Sequence, residues 1–178
     1  MSHVEHFDRL AERYDALRAP PGVTAVHELL AREADLPGKH VLDVGCGTGS
    51  NLRVLAESFG CRVAGIDSSE RMLEEAGRKV PAADLRHGVA ERLPFDDGSF
   101  DAVWMSLVVH LLDRPRAFAE ARRVVHEGGR LIVVTPEAES FPRAWMAPLF
   151  PRTSPSSRRA FRTEPTSKRS CRRPGSAT

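Results

Sequence analysis

Between residues 40 and 135 short apolar runs alternate with stretches of helical period, and that alternation narrows the fold to one class. Runs rich in β-branched or apolar residues at 40–44, 61–66, 100–106 and 130–135 read as strands, with 83–87 a weaker one. Helical periodicity occupies 50–58, 69–79 and 115–126, the last preceded by Asp113 as an N-cap. Strands separated by helices of this length share a sheet only through crossovers, which pair them in parallel with right-handed connections. The expected fold is therefore α/β, a doubly wound parallel sheet of about five strands. Upstream, Phe7, Leu10, Ala11 and Tyr14, then Val23, Val26, Leu29 and Leu30, recur at helical spacing. Ala19-Pro20-Pro21-Gly22 breaks between them, so residues 1–36 read as two N-terminal helices.

The pattern weakens after Thr135, where Trp145, Met146, Leu149 and Phe150 still form one apolar helix face, and it stops after Phe150. Residues 151–178 contain no Val, Ile, Leu, Met, Trp or Tyr and hold eight of the 26 Lys and Arg but one of the 24 Asp and Glu. Such a segment buries too little surface to offset its ordering entropy and is expected to be a disordered basic tail. The chain thus divides into N-terminal helices (1–36), a core (37–150) and a tail (151–178). No uncharged stretch exceeds residues 102–112, too short for a membrane span. The charged N-terminus lacks the apolar segment of an export signal, and a cytoplasmic location is expected. Cys46, Cys61 and Cys171 cannot all pair and lack metal-type spacing, so reduced thiols and no metal are expected.

The segment with most chemistry is Val41-Leu42-Asp43-Val44-Gly45-Cys46-Gly47-Thr48-Gly49, a strand that runs into a glycine turn and then a helix. Glycines at alternate positions let a ligand approach the backbone closely. Dinucleotide folds use a similar turn to seat a pyrophosphate at a helix N-terminus. Asp43, just before the loop, would repel a diphosphate and attract a cation. A second acid, Asp67, ends the strand Val63-Ala64-Gly65-Ile66, 18 residues after Gly49, where doubly wound folds bind ribose hydroxyls. A cationic nucleoside without phosphates suggests S-adenosylmethionine.

From here the sequence resembles the class I S-adenosylmethionine-dependent methyltransferases, particularly the small-molecule group of ubiquinone and menaquinone biosynthesis enzymes. The likeness lies in Phe7-Asp8-Arg9-Leu10-Ala11-Glu12-Arg13-Tyr14-Asp15, in residues 41–49, in Gly65-Ile66-Asp67-Ser68-Ser69-Glu70-Arg71-Met72-Leu73, and in residues 90–101 and 120–131. The resemblance implies a Rossmann-like fold. It places Gly45, Gly47 and Gly49 along the methionine end of the cofactor, Asp43 by its amino group, Asp67 with Ser68 at the ribose, Met72 on the adenine, and Ala90 and Glu91 in the adenine-binding turn. Val89 stands where the family often has an Asp, which removes one hydrogen bond to the adenine. Glu127 stands where a proline is usual.

Several residues keep a plainer reading. Asp67 could cap the helix at 69–79, a role Ser68 could also fill; Met72 could be core; Tyr14 either closes over the cofactor or anchors the first helix; Cys46 reads as a small buried hydrophobe. His110, just past the fourth strand, is either the group that takes a proton from the methyl acceptor or a hydrogen-bonded packing residue. The implied reaction moves a methyl group onto an oxygen, carbon or nitrogen of a small molecule. The alternative is a truncated, impaired cofactor-binding protein, because relatives continue past the fifth strand with a helix and an antiparallel hairpin for which no pattern is visible. The switch near Pro151 reads as a terminus replaced by a shifted reading frame or as a true basic tail. Without the hairpin, residues 130–135 form an exposed edge open to self-association. Nucleic-acid binding by the tail has only charge in its favour, since Phe161 is its one aromatic.

Overall fold

The computed structural model describes residues 3–18 and 23–135. Two helices, α1 (His3–Arg18) and α2 (Val23–Glu33), precede β1 (His40–Val44), α3 (Ser50–Phe59), β2 (Arg62–Asp67), α4 (Glu70–Lys79), β3 (Asp84–His87), β4 (Phe100–Ser106), α5 (Arg114–Val124) and β5 (Val125–Val134). The five strands form one all-parallel sheet in the order β3-β2-β1-β4-β5. This is the expected Rossmann-like architecture. The apolar helix face expected at 145–150, the expected basic tail and the expected lack of a C-terminal hairpin all fall outside the described residues.

Alternation along the strands sends successive side chains to opposite faces, and both faces are covered. Val41, Val63, Ala102, Trp104 and Ile132 pack with Ala31, Leu52, Leu55 and Phe59, under α2 and α3. Leu42, Ala64, Val103 and Met105, one residue along in each strand, pack with Ala117, Ala121 and Val124 of α5 and with Leu93 and Phe95. Near-continuous apolar strands are what burial on both faces requires. Leu131 and Val133, on the edge strand β5, are exposed. No helix among the described residues is long and apolar enough to cross a membrane.

Three details differ from the sequence reading. β5 begins at Val125 instead of Arg130, because Val125 turns extended directly after α5 and pairs with Phe100. Three extra residues on β5 then bulge before Ala102 pairs with Arg130, so the helix stops two residues short of His126. The N-cap of α4 is Ser69, whose Oγ accepts from the Met72 N–H, in place of Asp67 or Ser68. The cap expected at Asp113 is present, with its carboxylate accepting from the Arg116 N–H at 3.5 Å.

Candidate active site

The strand order reverses between β1 and β4, and doubly wound sheets place ligands outside the carboxyl ends of the strands at such a point. There β1 runs into Gly45-Cys46-Gly47-Thr48-Gly49. Gly45, Gly47 and Gly49 have φ of 72°, 54° and 78°, a left-handed backbone that side chains disfavour. Gly45 is also fixed by contact, since a Cβ there would lie 2.6 Å from Cγ2 of Val108. The loop folds back onto β2: the Gly45 and Cys46 N–H groups donate to the Ile66 carbonyl at 2.8 and 3.0 Å. Gly65 lies beneath it, and a Cβ at that position would come within 2.9 Å of Cys46, Leu52 and Leu85.

Asp67 ties loop and helix together. Its Oδ2 accepts from the Gly47 N–H and its Oδ1 from the Ser69 N–H, both at 2.9 Å. Burial pushes the carboxyl above its ordinary range, and those N–H groups oppose the rise. An ionised carboxylate accepts about four hydrogen bonds, so acceptor capacity remains for a ligand.

Around this carboxylate lies a cleft of about 250 Å³. Tyr14, Gly45, Gly47, Asp67, Ser68, Met72, Ala90 and Glu91, far apart in sequence, all line it. Asp43, Gly49 and His110 do not. Asp43 is fully buried in the sheet, in register with Gly65 on one side and Trp104 on the other. Gly49 sits against α4, where a Cβ would meet Ala76 at 2.9 Å. His110 lies in the short 3-10 turn Val109–Leu111, with its ring nitrogens buried.

One wall of the site is α1. Ala11 and Tyr14 bury against Met72, with Phe7, Leu10 and Leu107 packed around them. Met72 is thus both packed and part of the cleft wall. Two carboxylates, two helical turns apart, hold the helix down. Asp8 accepts from the Ser69 hydroxyl at 2.5 Å. Asp15 accepts from Thr48 Oγ1 at 2.5 Å and Ser50 Oγ at 3.1 Å, and it pairs with Lys79. Burial alone would raise the Asp15 carboxyl, but the bonds from Lys79 and Thr48 outweigh it and the carboxyl is lowered. The sequence reading gave neither acid a role; their only signal was spacing on the face that carries Phe7 and Tyr14.

The opposite rim, Ala90 and Glu91, belongs to the connection from β3 to β4. Glu91 Oε1 accepts from the Asp113 N–H at 2.8 Å. Arg123 of α5 clamps the same connection by donating to the carbonyls of Leu93 and Phe95 and to Asp97 and Glu120. Glu120 also accepts from the Leu93 N–H, and Arg123 beside it holds its carboxyl down to about 2.

A last pair escaped the sequence reading. Ser106, the final residue of β4, lines the cleft, and its hydroxyl lies 3.2 Å from Nε2 of His27 on α2. Each is 5% exposed, and the His27 ring meets Trp104 edge-on, with centroids 5.5 Å apart.

The charged residues lining the cleft are Asp67 and Glu91, both acids. Glycine backbone, a held carboxylate and acidic walls fit a cationic nucleoside and disfavour a phosphorylated one. Comparison with known proteins agrees with this chemistry. A sequence family described as a methyltransferase domain matches residues 42–133. The chain is 38% identical to the demethylmenaquinone methyltransferase of Symbiobacterium thermophilum, an alignment covering 72% of this chain and 56% of that protein. It is 36% identical to the sarcosine/dimethylglycine N-methyltransferase of Halorhodospira halochloris, covering 65% and 44%. It is similar in structure to a geranyl diphosphate methyltransferase solved with geranyl diphosphate and sinefungin (27% identity, TM-score 0.58, 62% of this chain and 44% of that one). The chain spans about half the length of the curated relatives it matches.

Proposed function

This chain belongs to the methyltransferase-domain family, and from that premise we propose that it transfers the methyl group of S-adenosylmethionine to an oxygen, carbon or nitrogen of a small molecule. The observation that supports this most directly is Asp67, a carboxylate held by two backbone N–H groups at the wall of a cleft whose charges are all negative. In this reading residues 1–36 cover the site, 37–150 form the cofactor-binding core, and 151–178 are an appended basic tail.

When bound, S-adenosylmethionine supplies an electrophilic methyl carbon on a sulfonium centre. Asp67 accepts from the ribose hydroxyls, and the glycine loop lets the backbone approach where a side chain would not fit. Met72 and Ala90 supply apolar surface for the adenine, and Tyr14 on α1 covers the opening. Because the methyl donor is already activated, the chain contributes chiefly orientation and exclusion of water.

Calorimetry tests the reading. S-adenosylhomocysteine should bind, and Asp67→Ala should weaken it by about 1 to 3 kcal/mol through lost hydrogen bonds. Binding of NAD with no binding of either methionine nucleoside would refute it.

A further inference from the structure

Part of the cleft wall is left over once the cofactor contacts are assigned, and its chemistry restricts the second substrate. That part includes Val4, Phe7, Leu107, Val108, Leu111 and Leu112, all apolar. No cationic side chain lines the cleft among the described residues, and Asp67 and Glu91 are both acids. Among the described lining residues, a carboxylate or phosphate on the acceptor would meet no cationic side chain and two acidic ones.

Among these apolar residues Ser106 supplies a polar group at the floor. Its hydroxyl, 3.2 Å from His27 Nε2, uses one of three hydrogen-bonding positions on that imidazole and keeps the others. The next residue is strained: Leu107 has φ 58°, a left-handed conformation that a bulky side chain disfavours. That turn ends β4 at Ser106 and carries Leu107 across to the Met72 and Tyr14 cluster. Two separate costs, a buried polar pair and a strained backbone, thus meet at one point of the cleft.

Resting on the cofactor reading above, we propose that the methyl acceptor is an uncharged, largely apolar molecule bearing a hydroxyl, that Ser106 receives this hydroxyl, and that His27 is the residue that positions Ser106. The class excludes zwitterions such as sarcosine and anions such as prenyl diphosphates, although relatives of this chain bear the names of both.

The probes are 2-naphthol, naphthalene and 2-naphthoate, titrated by ligand-detected NMR into the full chain saturated with S-adenosylhomocysteine. One net hydrogen bond makes 2-naphthol bind about tenfold more tightly than naphthalene, and 2-naphthoate should be the weakest of the three. Ser106→Ala should bring 2-naphthol to the level of naphthalene, Ser106→Thr should restore the difference, and His27→Phe should reduce it severalfold. A merely structural role for the pair would weaken both neutral probes alike and leave their ratio unchanged. A preference for 2-naphthoate, or an unchanged ratio in Ser106→Ala, overturns the proposal while S-adenosylhomocysteine still binds. Absence of S-adenosylhomocysteine binding overturns the cofactor reading, and this one with it.

Discussion

The two ends of the sheet use aspartate in opposite ways. At the carboxyl end Asp67 closes β2, and burial raises its carboxyl despite the N–H groups of Gly47 and Ser69. At the amino end Asp101, second residue of β4, accepts from the His40 N–H at 2.7 Å and from His126 at 3.0 Å, and those bonds lower its carboxyl. Asp101 is fully engaged in fastening strands to one another. Burial disfavours the charged form of Asp67 by more than its own contacts offset, so further donors would stabilise it. Turns differ in the same way. Gly38, before β1, and Gly45, after it, share nearly the same φ (74° and 72°), yet a Cβ on Gly38 meets nothing within 4 Å while one on Gly45 strikes Val108.

The largest expected difference lies in that glycine pair. Gly38→Ala should cost about 1 kcal/mol, the backbone preference alone. Gly45→Ala adds overpacking of about 1 to 3 kcal/mol, and it should also abolish S-adenosylhomocysteine binding. Urea denaturation of the two variants measures this, and equal losses would show that contact with Val108 does not set the loop.

Next come the two acids. Asp67→Asn should weaken S-adenosylhomocysteine by about 1 to 3 kcal/mol in calorimetry, whereas Asp101→Asn should leave that affinity unchanged. Their effects on acid stability should oppose. A lowered folded pKa means that Asp101 stabilises above its ordinary value of 3.8 and that this contribution disappears as pH falls through the folded value. Asp67, with a raised folded pKa, penalises the fold as pH rises through that value and relieves it on acidification. Removing Asp101 should therefore flatten the loss of stability on acidification below the ordinary value of 3.8, and removing Asp67 should steepen the loss above it. Glu120 continues the loss from its ordinary 4.5 down to about 2.

Asp15→Asn should loosen α1 by about 1 kcal/mol, read as faster amide exchange in α1 with the sheet unaffected. Slower exchange there would contradict the anchoring role of this carboxylate. The smallest effect belongs to Glu75→Gln, which breaks an exposed pair with Arg78 and should shift stability by less than about 0.5 kcal/mol.

Strand positions were readable from sequence wherever an apolar run ended in a break, as at His40–Val44 and Phe100–Ser106, whose observed bounds match. The early start of β5 was not, because its bulge depends on where β4 lies beside it. Eight of the eleven predicted site residues line the cleft: Gly45, Gly47 and Asp67 belong to local patterns that fix a local geometry, and Tyr14, Ser68, Met72, Ala90 and Glu91 were implied by the family resemblance. The groups missed are long-range pairs: Asp15 with Thr48 spans 33 positions, Asp8 with Ser69 spans 61, and His27 with Ser106 spans 79. Periodicity within one element carries no trace of which polar group on another element it will meet. His110 illustrates the converse: it occupies the right stretch of sequence, but around its single turn of 3-10 helix it is Val108, Leu111 and Leu112 that line the cleft.

Cys46 puts sulfur in the middle of the loop proposed to hold an alkylating agent, which would be hazardous for a reactive thiol. The side chain is 2% exposed, and burial together with the nearby Asp43 and Asp67 pushes the thiol well above its ordinary pKa. It therefore stays protonated, and a protonated thiol is a poor nucleophile. Asp67, the acid common to the cleft and to the surroundings of this thiol, would thus favour a bound sulfonium and disfavour a thiolate beside it, so the loop can fill the space over Gly65 with a soft, polarisable atom that stays unreactive toward the proposed methyl donor.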